Sequence, residues 1–187
     1  ASKKFTHVLL YIAFFPQLIA GPIVKYHDIS QQILHREHSL EKFALGMQEF
    51  SFGLAKKVLL SNTLAFVVDS IFQLPFHEIN GMIAWIGAIL YTLQIYYDFS
   101  GYSDMALGLG KMFGFTFNVN FNYPLSATSM KDFWRRWHIS LSSWFKEYVY
   151  IPLGGNRISS KRTFVNKCVV FFLTGLWHGA NYTFILW

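Results

Sequence analysis

"CVVFFLTGLWHGANYTFILW", from Cys168 to Trp187, contains no Asp, Glu, Lys or Arg in 20 residues. With a rise of 1.5 Å per residue, ~20 helical residues cross a hydrocarbon layer ~30 Å thick. Two further charge-free runs have similar length, Phe5–Val24 with 20 residues and Ile79–Tyr97 with 19. Together the three runs predict an all-α, polytopic integral membrane protein. Within the last run lies His178, a titratable imidazole. An ionisable group inside a span is costly and marks a candidate functional site.

Bulk composition is less decisive than the distribution of charge. The hydrophobic fraction of 53% only slightly exceeds a soluble domain's ~45–50%, whereas the charged fraction of 14% is well below the usual ~25%. Aromatic residues reach 19%, and rings gather where an apolar body meets a wet boundary. The net charge of +6 does not point to nucleic acid, because the basic residues lie between the apolar runs. Arg157, Lys161, Arg162 and Lys167 form an acid-free loop before the last run, which the positive-inside rule places in the cytoplasm. The single cysteine, Cys168, excludes an internal disulfide and any multi-cysteine metal site. One membrane domain over 1–187 is expected. A start without Met and an end inside a span predict a natural chain extending beyond both ends.

The first run, "FTHVLLYIAFFPQLIAGPIV", is too long for the core of a signal peptide and has no small-residue cleavage site after it, so it reads as a span. Pro16 and Gly21-Pro22 should kink or end it. Tyr26–Glu41 is polar, carries His27, His35 and His38, and reads as an interfacial segment. His35 and His38 have helical spacing for a shared metal, but no third ligand is fixed nearby, so no metal is expected. Leu40–Phe76 reads as a helix interrupted by Lys56 and Lys57, either interface anchors with snorkelling stems or a site for an anion.

"YDFSGYSDMALGLGKMFGF" mixes small and polar residues into an apolar run. Ala106, Gly110 and Gly114 recur every four residues, a spacing that suits close helix packing. "GLGK" is not a phosphate loop, since Met105 stands at the first Gly position and Met112 at the Ser/Thr position. Nor is "GYSDM" a nucleophile elbow, since Met105 stands at the last Gly. Asp98 and Asp104 can relay protons, bind a cation, or pair with Lys111 or Arg135 to hold helices together; pairing is the favoured expectation. Asn118–Ser129 is too polar for lipid and should line a cavity or lie at the surface.

In "KDFWRRWHISLSSWFKEYVYIPLGG", Trp134, Trp137, Leu141, Trp144 and Tyr148 share one stripe of a 3.6-residue helix. His138 falls at the edge of that stripe with Arg135 and Ser142 beside it, and Pro152 and Gly154-Gly155 end the helix. His138 can be a structural hydrogen-bonding group or a catalytic one. For His178, desolvation disfavours imidazolium, and a neutral ring that accepts at one nitrogen suits a general base. Gly175 and Gly179 flank it at helical spacing and leave room for a helix or a substrate.

"WRRWHISLSSWFKEYVYIPLGG", followed by "TGLWHGANYTFILW", resembles the membrane-bound O-acyltransferases. "FFPQLIAGPIVKY", "FGLAKKVLLSNTLA" and "YYDFSGYSDMALGLGKMFGF" extend the resemblance over nearly the whole chain. The branch resembled is that of bacterial alginate O-acetyltransferase membrane subunits, related to the membrane proteins of teichoic-acid D-alanylation. It implies a many-helix fold around a tunnel, with re-entrant or interfacial helices, in the bacterial inner membrane. By position, His178 is the implied tunnel histidine and His138 the second one. Trp177, Asn181, Arg135, Ser142, Asp98 and Asp104 are candidate substrate-path or supporting residues. The implied reaction carries an acyl group from acetyl-CoA or another acyl thioester, a co-substrate rather than a bound cofactor, to a hydroxyl of an exported polysaccharide. A periplasmic partner of the SGNH-hydrolase type is implied as well. Two rival readings remain, a transporter or flippase coupled through Asp98 and Asp104, and a scaffold that docks a partner on its aromatic helix.

Overall fold

The computed structural model describes residues 4–18, 21–179 and 181–186. Every regular element among them is helical. Helices α1 (Phe5–Ala13), α2 (Tyr26–Leu34), α3 (Leu40–Ala55), α4 (Asn62–Phe72), α5 (Gly81–Met112) and α6 (Met130–Arg136) lie in one compact unit, Ala1–His138. Helices α7 (Ile139–Phe145), α8 (Ser160–His178) and α9 (Tyr182–Leu186) lie in a second, Ile139–Trp187. Ser39, Asn80, Ser129 and Ser159 cap α3, α5, α6 and α8, each side-chain oxygen accepting the backbone N–H three residues on. Such caps satisfy donors that the first helical turn leaves open.

The first unit is built on an antiparallel helix pair. α3 and α4 form one long helix, Leu40–Phe72, joined by a π-helical segment, Lys56–Ser61. It packs against the 32-residue α5. Buried positions on the long helix are Gly46, Gly53, Ser61 and Val68, in steps of seven, eight and seven residues. Opposite the first three stand Gly108, Gly101 and Gln94, evenly seven apart, and farther along α5 Gly87 lies against Ile71 and Phe72. The eight-residue step holds the π segment, as expected where one extra residue is accommodated within a helix. Backbones touch at the glycines: the Gly101 carbonyl oxygen is 2.5 Å from where a Cβ on Gly53 would stand, and the Gly108 oxygen 2.6 Å from one on Gly46.

Three ion pairs bracket this seam. Lys56 meets Asp104 and Lys57 meets Asp98, both at 2.5 Å, and Lys111 meets Glu49 at 2.6 Å. The Ser61 hydroxyl also donates to Asp98. At 100° per residue, Asp98 and Asp104 sit about 60° to either side of Gly101, so consecutive lysines serve opposite flanks of the seam. The expected pairing of the aspartates therefore holds, with Lys56 and Lys57 in place of Lys111 or Arg135. These lysines are helix-pairing groups rather than anchors or an anion site. The small-residue stripe also differs from expectation. Gly110 is covered by the Phe117 ring, and Gly114 ends α5 at φ +82.

One helix among the described residues, Leu40–Phe72, is long and apolar enough by itself to cross a membrane. The three expected spans are redrawn accordingly. Phe5–Val24 is broken: α1 ends at Ala13 and a 3-10 turn, Phe15–Gln17, follows around Pro16. Its residues Ile19 and Ala20 lie outside the described set. Ile79–Tyr97 opens a longer helix, α5, whose second half is polar because its charges are matched from the partner helix. The last run is helical only to His178, with α9 after it, and its residues Ala180 and Trp187 lie outside the described set.

Candidate active site

The face of α5 turned away from the helix pair is covered by the chain that follows it. Phe115 and Phe117 are buried with Phe14, Val24, Ile29 and Leu107. Gln32 grips this segment at both backbone groups of one residue, accepting the Thr116 N–H at 2.7 Å and donating to the Thr116 carbonyl at 3.0 Å. Lys42 donates to the Gly114 carbonyl at 2.7 Å. Farther along, Phe121 meets Phe99 of α5 at 5.0 Å and Trp137 at 5.1 Å. The polar stretch Asn118–Ser129 lies largely at the surface, with Asn120 and Pro124 buried.

His138 sits in this aromatic cluster. Its ring stands edge-on to Phe99 at 4.7 Å, with Phe121 at 6.4 Å, and 4% of the residue is exposed. Its backbone is left-handed, φ +45. A non-glycine residue there costs on the order of 1–3 kcal/mol, and such residues gather at functional sites. The single amphipathic helix expected through Lys131–Tyr150 is therefore absent. α6 ends at Arg136 because Trp137 is extended and the Asn122 N–H takes the Arg136 carbonyl at 2.9 Å. α7 starts at Ile139, and a second π segment, Lys146–Tyr150, follows it. The stripe that would have set Arg135 and Ser142 beside His138 is thereby interrupted. Arg135 is exposed on α6 and Ser142 half-buried on α7. On α6, Arg136 donates to Asp132 at 3.0 Å. That bond, outside the spans, holds the Asp132 carboxyl below its usual range.

His178 is the last residue of α8, and its ring is edge-on to Trp177 at 5.0 Å. Both side chains are exposed. The expected room beside it is only partly there. Gly175 is buried in α8, but Gly179 lies past the helix end, where the Phe184 ring stands 2.5 Å from a Cβ it would carry. Asn181 is exposed and opens the turn into α9, its carbonyl accepting the Phe184 N–H at 3.0 Å. Within the same unit the sequence reading missed Asn166. It is fully buried and its amide donates to the Leu153 carbonyl at 3.2 Å and the Gly155 carbonyl at 2.9 Å. Those bonds fasten α8 to the "IPLGG" turn, where Gly154 and Gly155 have φ of 102 and 57. The neighbour Lys167 and the place of Asn166 ahead of the apolar run made it read as part of the basic loop, so the sequence offered no signal.

The structure thus brings His138 together with Phe99, Phe121 and Trp137, and His178 with Trp177. Asp98 and Asp104 are placed on the opposite, helix-pairing side of α5. Among the described residues no three His, Cys, Asp or Glu side chains stand close enough to share a metal ion.

The model of the MBOAT, membrane-bound O-acyltransferase family matches residues 3–187. The probable alginate O-acetylase AlgI of Azotobacter vinelandii is 49% identical over 187 residues, which is 100% of this chain and 37% of that protein. A peptidoglycan O-acetyltransferase of Helicobacter pylori is 44% identical over 99% of the chain and 36% of its own length. A teichoic acid D-alanyltransferase of Bacillus subtilis is 28% identical over 97% and 48%. The chain therefore spans just over a third of the length of the first two relatives. With a family model that covers almost every residue, the chain belongs to the membrane-bound O-acyltransferase family.

Proposed function

We propose that the protein is a multi-pass O-acyltransferase of the bacterial inner membrane. It moves an acetyl group from a cytoplasmic thioester, acetyl-CoA or a related carrier, toward hydroxyls of an exported polysaccharide such as alginate. The observation that carries this reading is the 49% identity to an alginate O-acetylase across all 187 residues. His178, as a neutral imidazole, accepts the proton of the attacking hydroxyl, and His138 orients or polarises the acyl group. The strained backbone at His138 supports a functional role, since non-glycine residues in this conformation gather at functional sites. A periplasmic SGNH-type partner completes the transfer. Transport coupled through Asp98 and Asp104 is disfavoured, because lysines already engage both carboxylates.

The test uses the full-length protein in detergent with labelled acetyl-CoA, an acceptor and the partner. A single base contributes ~10²–10⁴-fold, so His178→Ala should lose at least that much transfer while still inserting and folding. His138→Ala should fall comparably. Near-wild-type transfer by His178→Ala overturns its role as base, and no transfer by the wild type from any donor overturns the reading as a whole.

A further inference from the structure

Two hydroxyls in the first unit have no use in the fold. Ser100 is 0% exposed and Ser103 1% exposed, and neither Oγ has a hydrogen-bond partner among the described residues. A buried hydroxyl without a partner costs on the order of 1–3 kcal/mol. In a helix, serine can return its proton to the carbonyl one turn back, as Ser51 and Ser70 do here at 2.8 Å. Ser100 and Ser103 do not.

Their positions on α5 differ. Phe99 carries the ring against which His138 packs. Ser103 is one turn on from Phe99, about 40° around the helix, whereas Ser100 is about 100° around. Gly110 lies against Phe117, and Phe99 against Phe121. The covering chain from Phe117 to Phe121 thus runs back over the stretch of α5 that holds Ser103. Asn120, 1% exposed, belongs to that covering stretch. By helical phase Ser103 therefore shares a face of α5 with Phe99, whose ring packs against His138, and with Gly110 under the Phe117 ring.

We propose that Ser103 donates a hydrogen bond to the carbonyl oxygen of the acyl group, beside His138. This deepens the acyl-transfer reading and rests on it. In the transfer, the acceptor oxygen bonds to the carbonyl carbon and the carbon–sulfur bond of the donor breaks. The hydroxyl proton passes through a base to the departing sulfur. Between those events the carbonyl oxygen carries negative charge, and Ser103 meets it with an O–H already desolvated and fixed on a helix. A donor of this kind, preorganised in a dry site, is worth ~10²–10³-fold in turnover. No covalent bond forms to Ser103.

The experiment compares four variants of the full-length protein in the transfer assay with acetyl-CoA: Ser103→Ala, Ser103→Thr, Ser103→Val and Ser100→Ala. Ser103→Ala should lower kcat by ~10²–10³-fold with KM within about threefold. Thr and Val share one shape and differ by the hydroxyl, so Ser103→Thr should exceed Ser103→Val by at least about tenfold in kcat even if the extra bulk slows both. Ser100→Ala loses an equally enclosed hydroxyl and should stay within about threefold of wild type. Equal losses at Ser100 and Ser103, equal Thr and Val variants, or an effect confined to KM overturn the assignment while leaving the acyltransferase standing. A wild type that transfers nothing overturns both.

Discussion

His138 shows how one residue can depart from a pattern that its neighbours keep. The aromatic stripe continues at helical spacing across it, so nothing local announces the break between α6 and α7. The left-handed backbone is imposed from outside, by the Asn122 amide on the Arg136 carbonyl and by the rings of Phe99 and Phe121. Glycine adopts φ +45 without strain, whereas alanine pays about 1 kcal/mol there. In detergent, His138→Gly should therefore unfold at a higher temperature than His138→Ala, the reverse of their order in a helix, while both lose transfer. An Ala variant at least as stable as Gly would show that the backbone at 138 relaxes once the imidazole is gone. The identity of the candidate histidines was legible in the sequence. Their settings were not: His138 is enclosed through long-range contacts, and His178 ends a helix where the run of apolar residues promised a middle.

Among the elements, the α3–α4 and α5 pair carries the most information. The caps Ser39 and Asn80, short polar residues ahead of apolar runs, mark where its two helices start. Its length was not readable, because charge counts along one strand of sequence cannot register a partner helix that cancels them. Lys56 and Asp104 lie 48 positions apart. Replacing one alone, as Lys56→Met or Asp104→Leu, strands the other charge and should cost about 3 kcal/mol. The double variant should cost clearly less than the sum, with a coupling of about 1–3 kcal/mol. Unfolding of the four proteins in a denaturing detergent series measures this, and additive losses would mean that the pair contributes nothing of its own. The glycines set the other condition. With carbonyl oxygens 2.5–2.7 Å from the Cβ positions of Gly46, Gly53, Gly101 and Gly108, even alanine would have to move the two backbones apart.

On the scale of the whole molecule, the all-helical, membrane-embedded class was legible because charge-free runs of span length seldom occur outside membrane helices. Which runs are continuous helices was decided by Pro16 and by the turn after His178, both weak signals inside strong ones. The surface agrees with an apolar setting: Phe43, Phe52, Leu59, Phe66 and Phe72 on the long helix and Trp85 and Ile89 on α5 are each more than 40% exposed. The ion pairs have a consequence for how such a chain is made. During synthesis Leu40–Phe72 emerges first, with Lys56 and Lys57 unanswered, and each lysine at mid-bilayer opposes insertion by ~2.5–3.5 kcal/mol. Its counter-charges arrive only with α5, so the two helices should leave the translocon as a hairpin rather than one by one. A nascent chain stopped after Asn80 should insert its long helix poorly in a glycosylation-mapping assay, and one extended through Met112 should insert it well. Asp98→Leu with Asp104→Leu should return the longer chain to the behaviour of the shorter, and equal insertion of all three would mean that the lysines find their own way to the interface. The charges that hold the finished pair together thus also set the order in which the ribosome's product can enter the bilayer.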